Sequence, residues 1–238
     1  MTAGATDALH HAVQQLKQKG YKITNAPYPA VTHLVLPVPS FRPDGSIQGG
    51  GELDALLAQL PNSTTIIGGN LDHPLLNARP KIDLLQDPLY LAMNGQITAH
   101  CAVSLAATKL QYTIADSSVL VIGWGRIGKC LVQLLSSMDA RVTAAVRKEK
   151  DRATLASLGI HAVNADAIDP SAYDVIFNTA PEMILPGCKG DALKIDLASK
   201  PGIDAPDVIW ARGLPNLAAP KSSGKLIAET IARKVVAV

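Results

Sequence analysis

The sequence predicts an α/β protein: a doubly wound parallel sheet domain preceded by a smaller N-terminal α/β domain. Three observations predict it. Short apolar runs alternate with amphipathic helical stretches along the chain. One such run, Val119-Leu120-Val121-Ile122, passes directly into Gly123-Trp124-Gly125-Arg126-Ile127-Gly128, three glycines at G-x-G-x-x-G spacing. A helical stripe of Ile127, Leu131, Leu134, Leu135 and Met138 follows, completing the order strand, turn, helix.

The elements read in order as follows. Thr6 to Lys19 suits an amphipathic helix with Leu9, Val13 and Leu16 on one face, stopped by Gly20. A short strand is expected near Tyr21 to Thr24, and a buried one over His33 to Pro39. The twelve residues Ser40 to Gly51 form a loop, long enough for a mobile flap or a plain surface connection. Glu52 to Leu60 suits a helix, Thr64 to Ile67 a strand, and Lys81 to Leu85 another short strand. No strand precedes the first helix in this reading. Asp87-Pro88 starts a helix to about Asn94, and Gln96 to Leu110 is a longer helix leading into the second domain. The boundary is placed near Gly95, giving domains 1–94 and 95–238.

Beyond the glycine turn, Ala140 to Val146 is a strand and Asp151 to Leu158 a helix ended by Gly159. A weak strand follows near Ala162-Val163, then a buried strand with a polar exit over Asp174 to Pro181, and further strands at Leu193 to Ala198 and Val208 to Trp210. A final helix, Pro220 to Val235, is assigned to the second domain.

Composition narrows the function. With 238 residues and 47% apolar content, the chain can bury one large core or two smaller ones. A net charge of +2 argues for neither nucleic acid nor an anionic membrane as partner. Cys101, Cys130 and Cys188 are widely spaced and odd in number, neither a disulfide framework nor a metal signature. His10, His11, His33, His73 and His161 lack metal-ligand spacing, so no metal is expected. The first twenty residues lack a secretory pattern, and no stretch reaches the roughly 18 apolar residues of a membrane span. A cytoplasmic protein is expected.

The glycine turn is the chemical signal. Gly123 permits the tight turn, Gly125 lets backbone N–H groups approach phosphates, and Gly128 lets helix and strand pack closely. The helix N-terminus then offers N–H donors and partial positive charge to a dinucleotide diphosphate. Trp124, Arg126 and Ile127 complete the turn. After the next strand, where an NAD site carries Asp or Glu for the ribose 2′-OH, this chain has Arg147 and Lys148, then Lys150 and Arg152. A guanidinium suits a 2′-phosphate, so NADP is favoured; a solvated basic loop, with Glu149 at the ribose, is the alternative. Asn178, Thr179, Ala180 and Pro181, at another strand exit, are expected to shape the cofactor pocket.

Four strings in this order carry a resemblance. They are Gly123–Gly128, Asn178–Pro181, Asp196-Leu197-Ala198-Ser199-Lys200-Pro201-Gly202, and Gly213-Leu214-Pro215-Asn216-Leu217-Ala218-Ala219-Pro220-Lys221. Together they resemble the family of dipicolinate synthase A subunits, with D-2-hydroxyacid dehydrogenases and adenosylhomocysteinase-like proteins as more distant relations. The resemblance implies a Rossmann-type, two-domain protein with its site in the cleft, oxidising dihydrodipicolinate with NADP during sporulation. It also implies a flavoprotein-like second subunit, and a homo-oligomer is expected. Two departures stand out: the missing first strand, and Thr98-Ala99-His100-Cys101 where the family carries Thr-x-Glu-Gly.

That reaction removes a hydride and a proton from a small dicarboxylate, so positioning, carboxylate binding and a base are needed. Lys200 and Lys221 are each placed to bind a carboxylate, with Ser199 and Ser222 adding hydrogen bonds. His100 is the candidate base, since an unperturbed imidazole titrates near 6.5. Asp196 is the alternative, although an acid inside the sheet more often anchors loop N–H groups. Asn94 and Thr98 would line the substrate from the linking helix. Two other functions remain open: a different dehydrogenase of a small carboxylate, for which no Arg with a His–acid couple is evident, and a dinucleotide-binding subunit without turnover.

Overall fold

A computed structural model describes residues 1–236, which form two units. One comprises Met1–Asn94 together with the chain from Pro215 onward; the other is Gly95–Leu214.

The first unit opens on α1 (Asp7–Gln18), capped by Thr6, whose hydroxyl accepts from Leu9 N at 3.3 Å. Then come β1 (His33–Val35), α2 (Leu53–Ala58), β2 (Thr65–Gly68) and β3 (Lys81–Asp83), paired in parallel in the order β1-β2-β3. Leu34, Leu36, Ile47, Ile66 and Leu76 are fully buried in its core. The strand expected at Tyr21–Thr24 does not form. Instead Thr24 supplies one carbonyl, accepting from Thr2 N at 3.0 Å. Thr2 forms a parallel bridge with Val35, flanked by Val35 N donating to Met1 O at 2.9 Å and Ala3 N donating to Val35 O at 3.1 Å, so the chain before α1 lies along the edge of β1. Gly4, at φ +86°, turns the chain away at once.

The Ser40–Gly51 segment is a loop, but an anchored one. Phe41 and Ile47 form an antiparallel bridge, Arg42 N donates to Ser46 O at 2.9 Å, and the Ile47 side chain is wholly buried. A segment pinned by a core isoleucine is a hairpin rather than a free flap.

The two helices expected on either side of Gly95 are one, α3 (Pro88–Ala107). A single glycine inside a helix costs only about 1 kcal/mol relative to alanine. At Gly95 the missing side chain leaves room for Arg126, whose Cβ would be 3.5 Å from an added Cβ.

The second unit holds β4 (Ser118–Ile122), α4 (Arg126–Ser137), β5 (Arg141–Ala145), α5 (Glu149–Ser157), β6 (His161–Val163), β7 (Val175–Asn178), β8 (Leu193–Asp196) and β9 (Ile209–Trp210). All pairings are parallel, in the order β6-β5-β4-β7-β8-β9. Counted from β4, this is 3-2-1-4-5-6, the doubly wound Rossmann order. The apolar strands predicted from sequence are its buried centre: Val119 to Val121, Val175 to Phe177 and Ile195 are fully buried.

After the short α6 (Leu214–Ala218) comes α7 (Pro220–Val236). Its assignment to the nucleotide domain is corrected by the structure: α7 packs with the N-terminal unit. Gly224 meets α1 so closely that an added Cβ would lie 2.6 Å from the Ala8 carbonyl oxygen. Asn216 also donates to Val38 O at 2.9 Å. Among the described residues, no helix is long and apolar enough to cross a membrane.

Candidate functional site

The sheet order reverses at β4, whose neighbours β5 and β7 leave in opposite directions, and ligands of such sheets bind at the carboxyl ends of the strands there. β4 ends at Ile122 and the chain turns through Gly123, at φ +98°. A Cβ on Gly123 would lie 2.6 Å from Thr179 Oγ1, and one on Gly128 would strike the Gly123 carbonyl. A Cβ on Gly125 would meet nothing within 4 Å. Two glycines thus let α4 and the β7 exit close on β4, while the third faces open space at the α4 N-terminus. The N–H groups of that first turn have no intrahelical acceptor and suit an anion. Trp124 lies beside this turn, with Lys129 Nζ 5.7 Å from its ring.

Thr179 fixes the β7 exit to the β4 exit, its N–H and its hydroxyl both donating to Ile122 O at 2.9 and 2.8 Å. Asn178 is fully buried; its amide donates to Asp196 Oδ1 at 2.9 Å and to Ala180 O at 3.0 Å, and its carbonyl accepts from Ala180 N. Its side chain therefore shapes the loop through Ala180 and Pro181. Asp196, 1% exposed, accepts from four donors: Asn178 Nδ2, Ala198 N, Gly202 N and Ile203 N. Both of its oxygens thus hold the loop bearing Ser199 and Lys200, the anchoring role that the sequence offered beside that of a base. Those two side chains are exposed at the β8 exit.

On α3, Thr98 is buried and His100 exposed, both in the second unit. Burial raises the Cys101 thiol next to them above its ordinary value. Asn94, Lys221 and Ser222 belong to the first unit, the last two exposed in the first turn of α7.

Arg147 follows β5, but its guanidinium is already engaged. Nη1 lies 2.6 Å from Glu182 and Nε 3.4 Å from Asp166. Glu182 foremost raises the Arg147 pKa above its ordinary value, through a hydrogen bond and its charge. Lys148 is exposed just before α5, and Arg152 turns back to donate to Val146 O at 2.9 Å. Sequence reading missed Glu182 and Asp166. The signal was a carboxylate directly after Asn178–Pro181, but only the sheet order brings it to the β5 exit. It also missed Lys194, a buried lysine on β8.

Comparison with known proteins agrees with this geometry. The model of the D-isomer specific 2-hydroxyacid dehydrogenase NAD binding domain matches residues 91–183. The A subunit of dipicolinate synthase from Bacillus subtilis (strain 168) is 24% identical over 237 residues, covering 89% of this chain and 80% of its own. The crystal structure of the dipicolinate synthase A subunit from Bacillus halodurans superposes with a TM-score of 0.82 at 20% identity, covering 98% of this chain and 96% of that one. Its Bacillus subtilis counterpart gives 0.79 at 22% identity, covering 99% and 94%. The chain thus resembles the A subunit of dipicolinate synthase over nearly its whole length, and residues 91–183 resemble the NAD binding domain of the D-isomer specific 2-hydroxyacid dehydrogenases.

Proposed function

We propose that this chain is an NADP-dependent oxidoreductase subunit of a dipicolinate synthase, oxidising dihydrodipicolinate to pyridine-2,6-dicarboxylate in the cytoplasm of a sporulating cell. One observation carries the reading: a glycine turn with open space at Gly125, set where the strand order reverses, in a chain similar end to end to the dipicolinate synthase A subunit. The cradle fits a dinucleotide, because a side chain at Gly125 would fill the space the diphosphate needs.

When bound, the nicotinamide supplies the hydride acceptor, and aromatisation of the substrate supplies driving force. The chain's own residues then have limited tasks. First-turn N–H groups of α4 hold the diphosphate. Arg147 and Lys148 meet the ribose 2′-phosphate. Thr179 and Asn178 keep the β7 exit in place. Lys200 and Ser199 bind a substrate carboxylate, and His100 takes the proton, since Asp196 has no oxygen to spare. A homo-oligomeric assembly with a flavoprotein-like second subunit completes this reading.

Mixing the purified chain with NADP and dihydrodipicolinate tests it. NADPH and pyridine dicarboxylate should appear together in equal amounts. A second reading, a dinucleotide-binding subunit without turnover, is favoured by His100-Cys101 standing where the resemblance puts Glu-Gly. Nucleotide binding with no product, even in the presence of the second subunit, would establish that one instead.

A further inference from the structure

Three side chains meet beyond the exits of β5, β6 and β7, where the proposed function places the ribose of the dinucleotide. Arg147 follows β5, Asp166 follows β6 and Glu182 follows β7. Arg147 Nη1 lies 2.6 Å from Glu182 Oε1, and Arg147 Nε 3.4 Å from Asp166 Oδ1. The side chains are 45, 55 and 65% exposed for Arg147, Glu182 and Asp166, so a ligand reaches all of them.

A guanidinium grips a phosphate in bidentate fashion along one of two edges, Nη1–Nη2 or Nε–Nη. Here each edge includes an atom already facing a carboxylate. The cluster also places two anions beside the one guanidinium, so a 2′-phosphate reaching Arg147 has to displace a carboxylate from it. An uncharged ribose hydroxyl needs nothing from Arg147 and is free to donate to a carboxylate.

We propose that Glu182 is the specificity-determining residue of the ribose end, competing with a 2′-phosphate for Arg147 and so setting the ratio of NADP to NAD affinity. The inference rests on the dinucleotide reading above and deepens it. Glu182 rather than Asp166 holds this role because its contact is shorter by 0.8 Å (3.4 against 2.6). The loop carrying it leaves β7 directly after Asn178–Pro181, the segment that borders the glycine turn through Thr179.

Calorimetric titration of the full chain with NADP and, separately, with NAD tests the proposal in wild type, Glu182→Gln, Arg147→Ala and the double variant. Glu182→Gln should raise the NADP-to-NAD affinity ratio about fivefold, the effect of one exposed ion pair, and the gain should shrink as salt is added. Arg147→Ala should lower the ratio, and Glu182→Gln should add nothing in its background. A ratio that is unmoved or falls in Glu182→Gln overturns the proposal, as does a gain that survives loss of Arg147. A Glu182 that merely braced its loop would change both affinities together, which also overturns it. Wild type binding neither dinucleotide would overturn the parent reading and this inference with it; binding with an unmoved ratio overturns this inference alone.

Discussion

Arg233 Nη2 stands 2.7 Å from Asp87 Oδ1, joining the last turns of α7 to the start of α3. Lys234 Nζ closes on the second oxygen at 2.9 Å, and Tyr90 N donates to the first at 2.8 Å. One carboxylate, 4% exposed, thus caps α3 and anchors α7. The Arg233 hydrogen bond, opposed by desolvation and helped by Lys234, holds it far below the usual carboxylate range. Asp87→Ala should cost about 1–3 kcal/mol, kept modest because the 41 and 39% exposed cations stay screened by water. The urea midpoint measures it.

The same pair makes a pH prediction. Because the folded chain binds the Asp87 proton more weakly than the unfolded chain, falling pH favours unfolding. The contribution is complete above the unfolded value of about 4 and is lost as pH falls from there toward the depressed native value. Asp87→Asn, which retains a side-chain cap, should flatten the acid limb of the stability curve; an unchanged limb would assign it to other groups.

Gly125 and Gly128 should separate binding from folding. Gly125→Ala meets open space, so stability should fall by no more than about 1 kcal/mol, the usual N-cap difference. Dinucleotide affinity should nevertheless drop about tenfold or more, or 1.4 kcal/mol. Gly128→Ala drives a methyl into the Gly123 carbonyl and should cost about 1–3 kcal/mol of stability as well. Thermal melts with and without NADP distinguish the two.

Asp196→Asn should destabilise the chain by about 2–3 kcal/mol, because an amide NH₂ would face N–H donors the carboxylate now satisfies. A variant of native stability that had lost kcat and one limb of its pH profile would restore Asp196 as a base.

Lys194 illustrates an asymmetry of buried charge. It is 1% exposed and donates to Gly190 O, Ala192 O and Asp207 Oδ2 at 2.7, 3.0 and 2.9 Å. Lys194→Met removes the charge with its desolvation cost, so its effect should stay within about 1 kcal/mol. Asp207→Ala leaves the ammonium without its counterion and should cost about 1–2 kcal/mol after allowance for screening at the exposed carboxylate. Combining Lys194→Met with Asp207→Ala should recover most of that loss in denaturant titrations.

What was legible in the sequence was local. Val119 to Met138 declares its strand, turn and helix through apolar period and glycine spacing, and the structure shows all three. What was not legible depends on partners far along the chain. Nothing in the α7 stripe says which helix it will cover; Gly224 tells only that something approaches closely, and that proves to be Ala8 on α1. Tyr21–Thr24 has strand-like residues yet forms no strand, and Thr24 O accepts from Thr2 N at 3.0 Å. Arg147 reads as a free cation until the sheet order carries Asp166 and Glu182 to it. Asp196 was half legible: an acid at a strand end, whose four donors lie before and after it.

Because α7 packs on α1, residues 1–94 lack an essential wall until the last helix has been made. During translation the contiguous segment 95–214 is made before α7, whereas residues 1–94 must wait for that later helix. A premature stop before Pro220 would therefore release a chain with a formed nucleotide unit and an open N-terminal core, a target for chaperones and proteases.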